Sequence, residues 1–289
     1  NCANFINKDS NEPFFAFLHL NDAHWPYSPV RPYHTACTDY SPVDLFWNRA
    51  YTQSRMFPLD TDGYTPSDRQ TKIMKDLYLG AVRQVDRHLR ELFDRISDEV
   101  LENTLVIIFG DHGEAFGEHG EEFDHGHYDH ERLYDECVQV PLYYRNIGIR
   151  ETDSHLREID IAPKLLDSID VSIPPEWDGQ KPKSMANHPA MMVPPEPGTA
   201  LLHTAIRTDS EKLIKSFDRD SGKLSRTEYY DLVADPDEQQ NLADEEPHDW
   251  LANRLDEFVS QHESALDMDA ATGLNSAVVE SRLEDLGYK

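Results

Sequence analysis

Apolar residues in the first half of the chain occur in short continuous runs, which is the pattern expected of buried strands. These runs lie at residues 14–20, 104–109 and 138–144. Between the first two, apolar positions recur at helical spacing over residues 67–97, which predicts one long amphipathic helix. Helices that alternate with buried strands are typical of α/β folds, so we expect residues 104–109 to form a strand of a parallel sheet.

Other stretches show weaker or different patterns. Residues 33–66 have no period and are expected to form a long loop. Five prolines in residues 181–198 oppose a helix or a central strand, which predicts a linker. Beyond it, apolar runs predict antiparallel strands at residues 200–208, 211–217 and 227–233, followed by helices at residues 250–262 and 276–286. We therefore predict a main α/β domain over residues 1–180, a linker over 181–198 and a small β subdomain over 199–289.

The charge balance is strongly acidic. Lys and Arg number 27 against 55 Asp and Glu, which gives a formal net charge of −28 over 289 residues. Nucleic acid is excluded as a partner because phosphate binding needs a basic face. A surface of this kind suits a protein that works in concentrated salt, where screening shortens the repulsion, so a halophilic source is expected.

The cysteines and the longest apolar runs limit the class of protein further. Cys2, Cys37 and Cys137 are widely spaced, which supports neither a disulfide framework nor a zinc ribbon. This usage favours a reducing compartment such as the cytoplasm, although a leader upstream of Asn1 would change that assignment. No apolar run reaches the ~18 residues of a membrane span, so no membrane span is expected.

The most informative chemistry follows the apolar run at residues 104–109. Asp111 and His112 come directly after it, next to Gly113. Open α/β sheets bind ligands at this edge, and carboxylate and imidazole groups are both ligands for divalent cations. An alternative interpretation makes Asp111 the N-cap of a helix and His112 a polar loop residue.

Two further histidines lie in loops that could converge on the same edge. His24 follows the first apolar run, and His125 precedes the third. A cation surrounded by imidazoles suits a tetrahedral oxyanion, because the ion withdraws charge while N–H groups bind the oxygens. Phosphate and sulfate esters are therefore the expected substrates. Alternatively, His24 is merely a loop histidine beside Trp25, and His125 is merely a histidine in a solvated acidic loop.

Several segments, found in one consistent order, resemble the sulfatase family of the alkaline phosphatase superfamily. They are FFAFLHLNDAHWPYSP, ENTLVIIFGDHGEAFGEHG, YDECVQVPLYYR, EIDIAPKLLDSIDVSIPPEWDG and EYYDLVADPDEQQNLADEEP. The resemblance covers nearly all of the chain. It implies an α/β fold with a mixed sheet flanked by helices and a small C-terminal antiparallel β subdomain.

The resemblance also implies roles for single residues. Asp111 and His112 would be metal ligands, with Ca²⁺ the commonest ion in such enzymes and Mn²⁺ or Zn²⁺ as alternatives. His24 and His125 would be the catalytic and substrate-binding residues that contact the sulfate. Residues 111–145 contain no lysine where many sulfatases place one, and related enzymes acting on phosphate esters place histidine there.

No nucleophile of the sulfatase type is present, because no cysteine or serine stands in Cys-x-Pro-x-Arg context. The resemblance therefore implies the downstream part of a sulfatase, expected to be inactive alone because a nucleophile and two metal ligands are missing. The expected activity of the full protein is hydrolysis of sulfate monoesters of small molecules or carbohydrates. The alternatives are a phosphodiesterase or phosphoethanolamine transferase of the same superfamily, and a non-catalytic binding remnant of the fold.

Overall fold

The computed structural model describes residues 2–7, 13–35, 41–56, 66–119, 127–129, 132–146, 156–179, 191–193, 201–218 and 220–261. The helices are α1 (Cys2–Ile6), α2 (Pro42–Met56), α3 (Asp68–Phe93), α4 (Asp98–Glu102), α5 (Asp135–Val138), α6 (Ile161–Ser168) and α7 (Asp249–Gln261). The strands are β1 (Val106–Phe109), β2 (Ala115–Glu118), β3 (His127–Asp129), β4 (Leu142–Arg145), β5 (Met191–Val193), β6 (Leu201–Arg207), β7 (Glu211–Asp218) and β8 (Leu224–Asp231). In this described part, no helix combines the length and apolarity needed to cross a bilayer.

The chain divides into two compact units. One comprises Asn1–Leu105 and Ala115–Tyr128, and the other comprises Val106–Glu114 and Asp129–Lys289. The first unit is mainly helical, whereas the second contains the β1–β4 pair and the C-terminal sheet.

Helix α3 confirms the long amphipathic helix predicted from residues 67–97, apart from its end. Ser67 is the N-cap, and its backbone N–H donates to Gln70 Oε1 at 2.9 Å as part of a capping box. The helix stops at Phe93, and Ser97 instead caps α4 by accepting a hydrogen bond from Val100 N. Residues 94–97, predicted to be the last turn of the helix, instead connect α3 to α4, because a residue serving as N-cap takes a non-helical backbone conformation.

The buried face of α3 forms the core of the first unit. Ile73, Met74 and Leu77 pack against Tyr27 and Phe116, all of them buried. The backbone of Tyr33 approaches α3 so closely that a Cβ on Gly80 would lie 2.6 Å from its carbonyl oxygen. A glycine at this position is therefore what allows the chain after His24 to lie against the helix.

Helix α2 lies within the range predicted to be a structureless loop, so that prediction is wrong for residues 42–56. Pro42 occupies the first helical position, where a missing N–H is harmless. Ser41 N donates to Asp44 Oδ2 at 3.0 Å, and Asp44 N donates to Ser41 Oγ at 3.2 Å. These reciprocal bonds form a capping box that starts the helix without a strong apolar period.

The predicted buried strand at residues 14–20 is also wrong. The described residues 13–20 form no regular secondary structure, and Phe15 and Phe17 are 78% and 69% exposed. A strand needs a neighbour to satisfy its backbone groups, and no strand in the described ranges pairs with this segment. Apolar sequence alone therefore did not decide its conformation.

Strand β1 confirms the strand predicted at residues 104–109 but not its pairing or its burial. It pairs with β4 in the antiparallel direction, with Phe109 opposite Leu142. The chain enters β4 beside the point where β1 ends, so the two strands run in opposite directions, and Phe109 is 41% exposed. Because Pro141 has no N–H to donate, β4 starts after it, and Val138 belongs to α5 instead of the predicted strand.

The C-terminal sheet confirms the predicted antiparallel strands. Its order is β5-β6-β7-β8, with every neighbouring pair antiparallel. Helix α7, also as predicted, covers the sheet through Leu251 and Leu255, which pack on Ile206, Leu213 and Tyr229. Strand β5 falls inside residues 181–198, predicted to be a linker, while the helix predicted at residues 276–286 lies outside the described residues.

Candidate functional site

The turn that follows β1 carries the two predicted metal ligands, and its backbone is bonded to the segment that leads into β4. Gly110 N donates to Pro141 O at 3.2 Å, and Gly113 N donates to Cys137 O at 2.7 Å. These two bonds bracket Asp111 and His112. The position of both side chains is therefore set by main-chain contacts at either end of the turn.

Gly113 is the residue that permits this close approach. A Cβ built on Gly113 would lie 1.9 Å from Glu136 O, far inside van der Waals contact. The neighbouring Glu114 N donates to the same oxygen at 2.9 Å. A side chain at position 113 would thus force the turn away from α5, which explains why the sequence has glycine here.

Asp111 and His112 carry donor groups of the kind that divalent cations bind. Asp111 is exposed, and its Oδ1 accepts a hydrogen bond from His112 N at 3.2 Å. His112 Nδ1 lies 2.8 Å from Gly113 O. When Nδ1 carries the proton it donates to this carbonyl, and the lone pair of the ring is then on Nε2, as in metal-bound histidines. The next element is strand β2, so the alternative of Asp111 as a helix N-cap is wrong.

A second acidic group interacts electrostatically with this turn. Burial and the negative charge of Asp111 raise the pKa of Glu158 to about 7. Among the described residues, neither carboxylate forms an ion pair. Sequence reasoning missed Glu158, because nothing in the chain around it indicates that it interacts with Asp111.

The two residues of this turn are too few to hold a metal ion alone. In the described ranges, no group of three or more His, Cys, Asp or Glu side chains is close enough to hold a metal ion. Asp111 and His112 nevertheless fit a divalent cation in donor chemistry, since one offers a carboxylate oxygen and the other an imidazole nitrogen.

His24 lies in the first unit, in a turn that is tied to α3. His24 Nδ1 is 2.8 Å from Trp25 O, which orients the ring. Buried Gln84 on α3 holds both ends of the turn, because its Nε2 donates to Asp22 Oδ1 and its Oε1 accepts from Val30 N at 2.8 Å. Sequence reasoning missed Gln84 because a glutamine on the apolar face of a helix has no distinctive spacing.

The structure thus describes three of the four predicted site residues. Asp111 and His112 are consecutive residues of the second unit, to which Glu158 also belongs. His24 lies in the first unit, and His125 lies outside the described residues. The convergence of His24 and His125 with Asp111 and His112 stays a prediction.

Comparison with known proteins gives consistent matches. The profile of the Sulfatase family matches residues 1–171. An N-acetylglucosamine-6-O-sulfatase from Bacteroides thetaiotaomicron is 28% identical over 187 residues, which are 58% of this chain and 32% of that protein. Arylsulfatase K from Mus musculus is 26% identical over 273 residues, which are 82% of this chain and 47% of that protein.

A solved structure shows the same fold. The protein, from Bacteroides fragilis and assigned as a sulfatase, matches with a TM-score of 0.67 at 16% identity, over 90% of this chain and 57% of that chain. The match supports the predicted α/β class, in which helices accompany the sheets. This chain spans about half the length, or less, of the curated relatives named above.

Proposed function

Because this chain belongs to the sulfatase family, we propose that the whole protein hydrolyses sulfate monoesters with the help of a divalent cation. The observation that carries the proposal is the Asp111–His112 turn. It stands at the end of β1, bonded through its backbone to the α5–β4 segment, within the range that matches the family.

Asp111 and His112 are the proposed ligands of the cation, through a carboxylate oxygen and Nε2 respectively. When bound, the cation supplies Lewis acidity that polarises an ester oxygen and stabilises a neighbouring anionic nucleophile. Sulfatases as a family use a divalent metal, typically Ca²⁺, which makes Ca²⁺ the first ion to test. A nitrogen ligand also suits Mn²⁺ and Zn²⁺, so these ions belong in the same titration.

His24 and His125 are the proposed contacts to the sulfate group. The proposal for His24 is supported by the orientation of its ring. Its Nδ1 is directed at Trp25 O, so Nε2 points in the opposite direction. A protonated imidazole would donate from Nε2 to a sulfate oxygen and stabilise its negative charge. For His125, the support is the family resemblance alone.

The proposed substrate class is a sulfated carbohydrate, as the name of the Bacteroides thetaiotaomicron relative suggests. A chain with net charge −28 repels polyanions at low ionic strength. We therefore propose that the rate on a sulfated oligosaccharide rises with salt, and that the protein keeps its activity in concentrated salt.

The test is an assay of the full-length protein with 4-nitrophenyl sulfate and glucosamine 6-sulfate, and with 4-nitrophenyl phosphate in parallel. We expect metal-dependent sulfate release that falls by more than about 100-fold in Asp111→Asn and His112→Ala. Replacing residues that only orient metal ligands already costs about 10–100-fold in metal affinity or activity, so loss of a ligand should cost more. Asp86→Asn, at a residue exposed on α3, is the control and should change nothing. Assay of the 289 residues alone tests the prediction that they have no catalytic activity.

Two outcomes would contradict this proposal. Faster cleavage of the phosphate ester would favour the phosphodiesterase or phosphotransferase alternative. Absence of turnover together with absence of Ca²⁺ and Mn²⁺ uptake would favour the non-catalytic binding alternative.

A further inference from the structure

The C-terminal sheet is connected to the turn carrying Asp111 and His112 through α5. The carbonyls of Glu136 and Cys137, both in α5, accept hydrogen bonds from the turn at 2.9 Å and 2.7 Å. Helix α5 has only four residues, so its position must be set by what holds it from outside. The contacts of its first residue, Asp135, identify the residues that hold the helix in place.

Asp135 is held by a cluster of charges that we call the Asp135 cluster: Asp135, Arg207, Lys212 and Glu238. Arg207, at the end of β6, donates to both carboxylate oxygens, with Nε 2.9 Å from Oδ1 and Nη2 2.7 Å from Oδ2. Lys212 Nζ, from β7, donates to Oδ1 at 2.6 Å. The backbone N–H of Asp135 donates to Glu238 Oε2 at 2.6 Å. Both the side chain and the main chain at the start of α5 are therefore fixed to the C-terminal part of the chain.

Two members of the cluster are buried, Asp135 and Arg207 are partly buried, and the four formal charges balance. Lys212 is fully buried and lies 2.8 Å from Glu238 Oε1, which is 1% exposed. Two cations thus face two carboxylates. Burial alone would raise the pKa of Asp135, but the bonds from Arg207 and the charge of Lys212 hold it below its usual range. Removal of one member would leave a buried charge without its partner, so the cluster resists displacement of α5.

We infer that the Asp135 cluster is a positioning device for the metal-binding turn, through which the C-terminal sheet sets the cation affinity of Asp111 and His112. This inference rests on the proposed function, since it assumes that the turn binds a cation. The Asp135 cluster contacts α5 at Asp135. It acts through α5, whose carbonyls hold Gly113 and Glu114.

A second lysine on β7 provides a matched control. Lys215 Nζ lies 2.6 Å from Asp256 Oδ1 and so connects the sheet to α7, not to α5. Like Lys212, it is a buried lysine with an ion-pair partner. A purely structural role for Lys212 predicts that Lys212→Met lowers the Tm but leaves the Kd for Mn²⁺ unchanged, as Lys215→Met does. A positioning role predicts that only Lys212→Met weakens metal binding.

The experiment measures binding of Mn²⁺ to the metal-free full-length protein by the electron paramagnetic resonance signal of free Mn²⁺, together with thermal unfolding in a chelator. We expect Asp135→Asn and Lys212→Met to raise the Kd for Mn²⁺ about tenfold, the lower end of the effect of residues that orient metal ligands. Lys215→Met should leave the Kd within about twofold of the parent, even if its Tm falls.

An unchanged Kd in both Asp135→Asn and Lys212→Met would overturn the inference, provided that Asp111→Asn abolishes Mn²⁺ binding. If Asp111→Asn binds Mn²⁺ as the parent does, the proposed function fails instead, so the two failures are distinguishable. Should Asp135→Asn and Lys212→Met not fold, Arg207→Lys decides the question. This variant keeps the positive charge but loses the bidentate hydrogen bond to the carboxylate of Asp135. An unchanged Kd for Mn²⁺ in this variant would equally overturn the inference.

Discussion

Replacement of Gly113 by alanine should displace the turn that carries Asp111 and His112. The new Cβ would lie 1.9 Å from Glu136 O, 2.8 Å from Glu136 C and 3.1 Å from Cys137 Cα. All three are backbone atoms of α5, which cannot rotate away as a side chain would. Carbon and oxygen atoms in ordinary contact are about 3.3 Å apart or more, so the two segments must separate by more than about 1 Å.

The cost follows from the contacts that this separation breaks. The hydrogen bonds from Gly113 N (2.7 Å) and Glu114 N (2.9 Å) to α5 would be lost or strongly stretched. At about 1 kcal/mol each, together with about 1–3 kcal/mol for overpacking, the variant should lose about 3–5 kcal/mol of unfolding free energy. The ligands move with the turn, so the affinity for Mn²⁺ should fall at least about tenfold.

Gly110→Ala is the matched control on the other side of Asp111. A Cβ there would meet its nearest atoms at 3.5 Å, which is ordinary van der Waals contact. This variant should stay within about 0.5 kcal/mol of the parent. Urea unfolding of the metal-free full-length protein and Mn²⁺ titration measure both effects. Equal stability and equal Mn²⁺ affinity of the two alanine variants would refute the role assigned to Gly113.

Three further predictions concern other parts of the chain. Burial and a neighbouring arginine lower the pKa of His203 to about 4, so the folded state keeps it neutral while the unfolded state takes up a proton near pH 6.5. Stability should therefore fall by about 2 kcal/mol from pH 7 to pH 5, and His203→Gln should remove this part of the loss in urea unfolding; an unaltered pH dependence would contradict the assignment. The carboxyl of Glu158 should titrate near pH 7 in the metal-free protein, and Asp111→Asn should lower that pKa in a ¹³C NMR titration; an unmoved titration would show that Asp111 is not the cause. Leu77→Ala, in the core of the first unit, should cost about 2–5 kcal/mol of unfolding free energy, whereas the control Leu79→Ala, at a residue 49% exposed, should cost less than about 0.5 kcal/mol; equal costs would contradict the described packing of α3.

The amino-acid sequence by itself determined the features that depend on neighbouring residues. The capping box of Ser67 and Gln70 starts α3 where predicted, and the apolar runs after residue 200 form the antiparallel strands β6, β7 and β8. The Asp111–His112 turn follows β1 as predicted. Even α2, which was not predicted, has a local signal, since Ser41, Pro42 and Asp44 form a helix start that can be recognised in the sequence. Such signals can be recognised in the sequence because caps, turns and periodicity involve residues a few positions apart.

Only the tertiary structure decided the features that depend on distant partners. The direction of β4 relative to β1 and the exposure of residues 13–20 depend on which strands are available for pairing. The raised pKa of Glu158, due to burial and to Asp111, and the attachment of Asp135 to the C-terminal sheet likewise involve residues far apart in the chain. A charged residue looks the same in sequence whether it is solvated or buried. Its role is set by burial and by the partners that folding brings to it, because these decide whether its charge costs free energy or stabilises the structure.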